Sequence, residues 1–467
     1  MSIFPLQLIR VKLMWGLLAL SLLSDEPPSS LNSDNLLREA VAQIAQNTVA
    51  LPKFTCTETV ERSFYRRRQS LEQNGASLSG ADLFESERDA VLAWSDQFRL
   101  ALAIFDGREL FSWPGGGAFQ HEWPDELIGG GASTSGEFGP FAVNVLLSDA
   151  AALSLRFVSV SKLAGSDVAE YKYSVPLELT HFSVKVGDSR AVKTAFEGSV
   201  FINVQNHDLK RMIVNILNPP PASGLQQGRI VTDYAREQVG DARVLLPQNS
   251  TTALSTGAAD LAVNRTQYTD CKEFAAESAV HFGEFHPASN SATLVEQRPL
   301  PPGLRFAARF LTPIDSEQSF AGDRVEAEVV STVKVGRQRV ISKNARLYGR
   351  IVGLRRQFLP GRQVTLSIQF DHLEMNGTQL PVSLAAFGPS FPFCDSPNCQ
   401  LPSTESQAPG DSMVRHIAEI TRPGTDRLHF SAGSLWVWQT VRLSSEPQDE
   451  PAETPPSNAL PSQPPRH

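Results

Sequence analysis

Between Ala195 and Leu217 the chain reads AFEGSVFINVQNHDLKRMIVNIL. Phe196, Gly198, Val200, Ile202 and Val204 fall on one face of an extended segment, and Glu197, Ser199 and Asn203 fall on the other. That period of two is the mark of a half-buried strand. Gln205, Asn206, His207 and Asp208 then supply turn residues, and Lys210, Met212, Val214 and Ile216 alternate with Leu209, Arg211 and Ile213 on the way back. The stretch predicts an antiparallel hairpin of long strands with one face more apolar than the other.

The same pattern recurs along the first half of the chain. Strands are expected from Phe54 to Tyr65 and from Phe98 to Phe105, the latter turned at Asp106-Gly107 into Glu109-Leu110-Phe111. Further strands are expected at Phe182 to Val186, at Ile230 to Val239, at Val244 to Pro247 after a Gly240-Asp241 turn, and at Val263 to Phe274. Leu36, Leu37, Ala40, Val41, Ile44 and Ala45 recur instead at helical spacing, with Ser33 or Asp34 as the expected cap and Pro52 beyond the end. A glycine-rich segment, Gly115 to Gly117 and Gly129 to Gly136, interrupts the strands. After it, Phe138 to Leu147 reads as a helix, and Asp149 caps a second short one from Ala150 to Leu155. A twisted sheet of this kind cannot bury its apolar face alone, so helices or a ligand must lie across it.

After Phe285-His286-Pro287 the alternation lapses into Ser, Asn and Pro, then resumes. Val325, Ala327 and Val329 alternate with Glu326 and Glu328, and Val364, Leu366, Ile368 and Phe370 alternate with Thr365, Ser367 and Gln369. Asn376-Gly377 is the strongest two-residue hairpin signal in the chain, with Leu380 to Phe387 as its return and Leu435 to Leu443 as a closing strand. The fold class read from these patterns is mainly β with a few helices: a curved antiparallel half-barrel, then a small all-β, barrel-like domain. The boundaries are a leader at residues 1–30, the half-barrel with its helical insertion at 31–285, a linker at 286–303, the second domain at 304–445 and a disordered Pro-rich tail at 446–467.

Composition narrows the function classes. The net charge of -8, with its basic residues dispersed, argues against a nucleic-acid surface. Arg66-Arg67-Arg68 is read as a solvated strand end or loop in preference to a nucleic-acid or lipid-headgroup contact. Arg10 and Lys12 precede an apolar run from Leu13 to Leu23, the length of a signal-peptide core and short for a membrane span. Export is therefore expected, and the periplasm or cell envelope of a Gram-negative bacterium is the setting that the family resemblance given below implies. No small-x-small cleavage site stands before Asp25, so the leader is either removed or kept as an anchor. Four cysteines suit that compartment, and the favoured pairing is Cys56 with Cys271 and Cys394 with Cys399. A zinc site is disfavoured because the Cys394/Cys399 pair lacks a second pair of ligands.

Catalytic signatures fail. Gly131-Ala132-Ser133-Thr134-Ser135 lacks the closing glycine of a nucleophile elbow, no phosphate loop or HExxH occurs, and Ser159-Val160-Ser161-Lys162 stands without its companion motifs. His121-Glu122 between Phe119 and Trp123 is read as a solvated loop in preference to a pocket rim. Asn249, Asn264 and Asn376 open N-x-S/T triplets. No enzyme, no cofactor and no catalytic or metal residue is expected, and no ligand-binding residue can be assigned. What stands out is 26 phenylalanines, many in strands, which read as ordinary core or as the lining of an apolar cavity.

Leu51 to Arg62, Phe196 to Ile202, Asp208 to Arg211 and Asp270 to Phe274 resemble segments of a family of exported acidobacterial proteins. The long-stranded first domain, over about Leu31 to Phe285, resembles the half-barrel of the outer-membrane lipoprotein carriers, which implies a helix-lined apolar concavity. Ala308 to Ser316, Gly322-Asp323 and Val340 to Arg350 are similar to the β-barrel of TrbI-type secretion-channel components, although Ser342 and Asn344 replace that pattern's proline and glycine. Two functions are weighed. One is a non-enzymatic envelope protein that binds a lipid or another hydrophobic small molecule. The other is a structural module that docks envelope proteins through its β domains. Neither involves nucleic acid, and contact with the membrane is expected only through the N-terminal segment.

Overall fold

The computed structural model describes residues 32–50, 54–67, 83–84, 87–105, 108–116, 119, 121, 123–130, 132–133, 146, 155–180, 182–186, 191–256, 260–273, 300–387, 404–407, 413–442 and 444–445. The leader, most of the linker, the Pro-rich tail, the Phe138 to Leu155 helices apart from Leu146 and Leu155, and Cys394 and Cys399 lie outside these residues.

The hairpin foreseen from alternation is present as Ala195–Asn203 and Leu209–Leu217. Asn203 closes its turn by accepting the Gln205 and Asn206 amides at 2.8 and 3.0 Å, and His207 takes a φ of 59°. From this hairpin an open, curved antiparallel sheet extends both ways. One side continues through Ser166–Val175 to the edge strand Arg156–Leu163. The other runs through Gln227–Val239, Ala242–Ser255, Asp260–Glu273, Phe54–Arg67 and Ala90–Phe105 to Arg108–Ser112. The first strand in sequence is thus flanked on both sides, one partner being the last strand of this half.

Cys56 and Cys271 are disulfide-bonded across that pairing, at a register shift between Thr55 and Thr57 where Asp270 adopts a φ of 52°. The extra residue of the bulge twists the two strand ends so that the cysteines face each other.

The later strands run in the order Met413–Pro423, Gln363–Met375, Arg346–Gln357, Arg324–Val329, Arg305–Phe310, Leu435–Thr440 and Leu384–Ala386. The row curls round until Ser383 Oγ accepts the His416 amide at 2.8 Å. Asn376 and Gly377 turn the Gln363–Met375/Thr378–Pro381 hairpin with φ values of 53° and 74°, the two positive angles such a turn demands. The expected return from Leu380 to Phe387 is divided: Thr378–Pro381 pairs back on the hairpin, whereas Leu384–Ala386 pairs with Leu435–Thr440.

The two halves share hydrogen bonds. Arg355, Arg356 and Gln357 pair with Asp96, Ser95 and Trp94, the Arg99 amide donates to Ala321 O at 2.7 Å, and the Ala321 amide donates to Gln97 O at 3.0 Å. A single hydrophobic cluster joins Phe98, Leu100, Leu102 and Phe111 to Phe306, Leu354, Leu366 and Trp438.

The Cys56–Cys271 bond spans a sequence separation of 215 residues, so it restricts the unfolded chain strongly. Replacing both cysteines by alanine is expected to lower stability by roughly 2–5 kcal/mol in urea unfolding. A change near zero would show that the strand pairing holds this seam without the bond.

Candidate functional site

Residues paired directly across antiparallel strands share a face, so the registers define rows that cross the first sheet. One runs Val175, Phe196, Ile216, Gly228, Leu254 and Ala262. The next runs Tyr173, Gly198, Val214, Ile230, Thr252 and Asn264, continuing into Arg62 and Asp96. A third runs Tyr171, Val200, Met212, Thr232 and Ser250. All three lie on one face, apolar at the hairpin and polar toward the junction. Every one of these residues is buried.

Two glycines make the apolar end possible. A Cβ at Gly198 would collide with the Tyr173 hydroxyl and the Ile213 carbonyl, and Tyr173 uses that space to donate to Ile213 O at 2.7 Å. A Cβ at Gly228 would meet the Ile216 and Leu254 methyl groups. The aromatic rings of Tyr173 and Phe182 then close edge-on around Phe196, with centroids 5.9 and 5.6 Å away.

The cover of this face is α1 (Ser33–Ala50). Leu36, Ala40 and Ile44, one turn apart, are fully buried against the sheet, with Leu37 and Val41 beside them. Its cap is Asn32, in place of the Ser33 or Asp34 expected from sequence: the Asn32 Oδ1 accepts the Asn35 amide at 3.0 Å, and Ser33 is already in the helix. Polar contacts hold both flanks, with Tyr171 donating to Ser33 O at 2.6 Å and His207 Nδ1 lying 2.9 Å from Glu39 Oε2. Phe182, Val184 and Leu146 complete the cover. The apolar face is therefore covered by side chains of the chain itself. Two surface depressions, of about 530 and 490 Å³, adjoin this sheet, one against Lys172, Glu197 and Asn215 and one between Asp96 and Arg355.

At the polar end, Arg62 is 1% exposed and Asp96 9%. Arg62 donates to both Asp96 oxygens at 2.7 and 2.6 Å and to Gly130 O at 2.7 Å, with its guanidinium 5.1 Å from the centre of the Phe98 ring. Each charge is thus matched and bonded, which is the condition for keeping an ion pair inside. Burial, with Asp34 adding, pushes the Tyr171 phenol up to about 12, and burial pushes Tyr173 well above its ordinary value.

The chemistry-bearing motifs separate in space. Lys162 is held by Asp167 at 2.8 Å on the exposed edge strand, so it is not poised for Ser159. His121 lies 3.1 Å from Glu126 and accepts the Phe111 amide at its carbonyl, which makes it a tie between loop and strand. Arg66 and Arg67 end a strand, as expected. Asn264 is 7% exposed, which leaves no room for a glycan on the folded chain. Among the described residues, no group of three His, Cys, Asp or Glu side chains is placed to hold a metal. No described helix is long and apolar enough to cross a membrane. The buried row of Thr252, Asn264, Arg62 and Asp96 escaped the sequence reading, because polar residues in alternation read as a wet face.

The chain matches no family model and no curated protein sequence. Among solved structures it is similar to an outer membrane lipoprotein-sorting protein domain from Vibrio parahaemolyticus, at 11% identity over 51% of this chain and 92% of that one, with a TM-score of 0.26. A LolA superfamily protein from Nitrosomonas europaea stands at 8% identity over 51% and 92%, TM-score 0.21. A DUF1329 family protein from Desulfovibrio piger stands at 8% over 52% and 93%, TM-score 0.24. Superpositions this loose say nothing of function, for which the geometry of the sheet and its cover is the guide.

Asp96→Ala strands a buried guanidinium and is expected to cost about 3–5 kcal/mol. Glu328→Ala, which removes the partner of the half-exposed Arg309, should cost under about 1 kcal/mol. Equal losses in urea unfolding would contradict the assignment. For Tyr171, a raised folded pKa means that the neutral phenol is the stabilised form. Its contribution is complete below pH 10 and fades as pH climbs toward about 12. Tyr171→Phe should remove that alkaline step from the stability profile, and an unchanged step would place its origin elsewhere.

Proposed function

We propose that the protein is a non-enzymatic, exported envelope protein that binds a lipid-like or other hydrophobic ligand on the face beneath α1. The observation that carries this reading is the disproportion between face and cover. Apolar side chains from Tyr171 to Leu254 form a broad surface, and the helix laid on it contributes three fully buried residues. Burial of Leu36 and Ile44 is worth about 1.5–3 kcal/mol each, whereas an acyl chain gains about 0.8 kcal/mol per methylene. A chain of roughly four to eight buried methylenes thus offsets what those two side chains lose when the helix lifts. The export leader and the Cys56–Cys271 bond favour a periplasmic or envelope setting, with the leader cleaved or retained as an anchor.

A second reading is favoured by a different observation. Arg156–Leu163 is an edge strand paired on one side only, to Ser166–Val175, among the described residues. Phe157, Val158 and Val160 on it are 43%, 44% and 46% exposed. An apolar edge of this kind suits strand addition by a partner envelope protein.

Native mass spectrometry of the full chain isolated from membranes tests the first reading, which predicts adducts of lipid mass. Tethering α1 to the hairpin turn with a short bismaleimide, through Glu39→Cys and His207→Cys with Cys394 and Cys399 changed to serine, should abolish loading. Adduct-free spectra, or loading untouched by the tether, would reject it. Recovery of a crosslinked partner through Arg156–Leu163 in cells would favour the second.

A further inference from the structure

Strands Arg324–Val329 and Arg346–Gln357 pair in a register that sets Arg324 directly opposite Arg350. Like charges in that relation repel across the sheet. Other arginines of the same unit have carboxylates: Arg309 meets Glu328 at 2.5 Å, and Arg356 meets Glu317 and Asp426 at 3.5 and 3.4 Å. Among the described residues, the side chains of Arg324 and Arg350 form no ion pair or hydrogen bond.

Arg350 is the deeper of the two. Its Nη1 is sealed from solvent and bonded to nothing, and its guanidinium lies 5.7 Å from the centre of the Trp113 ring. Burial holds its pKa below the ordinary arginine value, Asp371 opposes that effect and Arg324 adds to it. Trp113 leads into a glycine turn in which the Gly116 amide donates to Trp113 O at 2.8 Å and Gly115 has a φ of 71°. A methyl group on Gly115 would stand 2.6 Å from Arg324 Nη2, so this turn lies directly against the second guanidinium. The protein as a whole carries a charge of -8, so the pair is not part of a generally basic surface.

Two adjacent guanidinium forks, one partly buried with its Nη1 unbonded and the other open to solvent, offer donors to an anionic acceptor, with Asp371 acting on Arg350. A carboxylate has only two oxygens, both engaged by one bidentate fork, whereas a phosphate has further oxygens to meet a second fork side by side with the first. We propose that Arg324 and Arg350, backed by Trp113 and the Gly115-Gly116 turn, bind a phosphate group, either free or carried by a phosphorylated lipid or small molecule. The site is distinct from the face beneath α1 and stands or falls independently of the carrier reading.

The test is the thermal unfolding and calorimetric titration of the full chain with inorganic phosphate at constant ionic strength, with acetate as comparator. A parallel titration uses a soluble short-chain phosphatidic acid. Wild type should gain stability with phosphate and much less with acetate. Arg324→Gln and Arg350→Gln should each weaken the phosphate interaction at least about tenfold, the scale of one lost charge-assisted contact. Stabilisation by the phosphatidic acid at far lower concentration than phosphate would assign the group to a lipid headgroup, and equal potency would assign it to the phosphate alone. If neither titrant stabilises wild type, or if the effect persists in both variants, the proposal fails. Arg324 is exposed, so its variant decides the matter even if Arg350→Gln does not fold.

Discussion

A long antiparallel sheet has an apolar face that must be kept from water, and the first half of this chain is arranged around that need. The rows from Tyr173 to Ile230 and from Val175 to Leu254 present aromatic and branched side chains on one side only. Gly198 and Gly228 let the large ones lie flat. The sheet is open at Arg156–Leu163, so its own curvature cannot seal the face. α1, Phe182, Val184 and Leu146 do so instead.

The face also changes character along its rows. Thr252 and Asn264 lead from the aliphatic end to Arg62 and Asp96, where the charge is buried and matched. Beyond Asp96 the hydrogen bonds pass directly to Arg355, so the saturated ion pair stands at the seam between the two β units. A polar interior is tolerable there because every donor of Arg62 that is aimed inward has a carboxylate or carbonyl to meet. The Arg324/Arg350 pair is the contrasting case, with charge placed in the sheet and no equivalent partner supplied.

Much of this was legible in the residues. Period-two alternation located the Ala195–Asn203/Leu209–Leu217 hairpin, because one wet and one dry face leave a direct trace in local sequence. Asn376-Gly377 announced its turn, since few other residues accept two positive φ angles. The apolar spacing of Leu36, Ala40 and Ile44 announced α1. Other features depend on partners far away in sequence. Arg62 and Asp96 look like surface residues until their strands are paired, and the contact of Arg355 with Asp96 joins segments with no local signal of each other. Arg156–Leu163 carries the apolar residues of a buried strand, yet both of its faces are exposed, because burial depends on what lies opposite and not on the strand itself.

If the carrier reading holds, α1 is a separable cover on a face built to be apolar. Native-state hydrogen exchange along the full chain addresses this most directly, since it resolves local opening from global unfolding. The amides of α1 are predicted to exchange through an opening of lower free energy than those of Leu209–Leu217 and Gln227–Val239, which stay protected. Exchange of helix and strands together, in one global step, would contradict it.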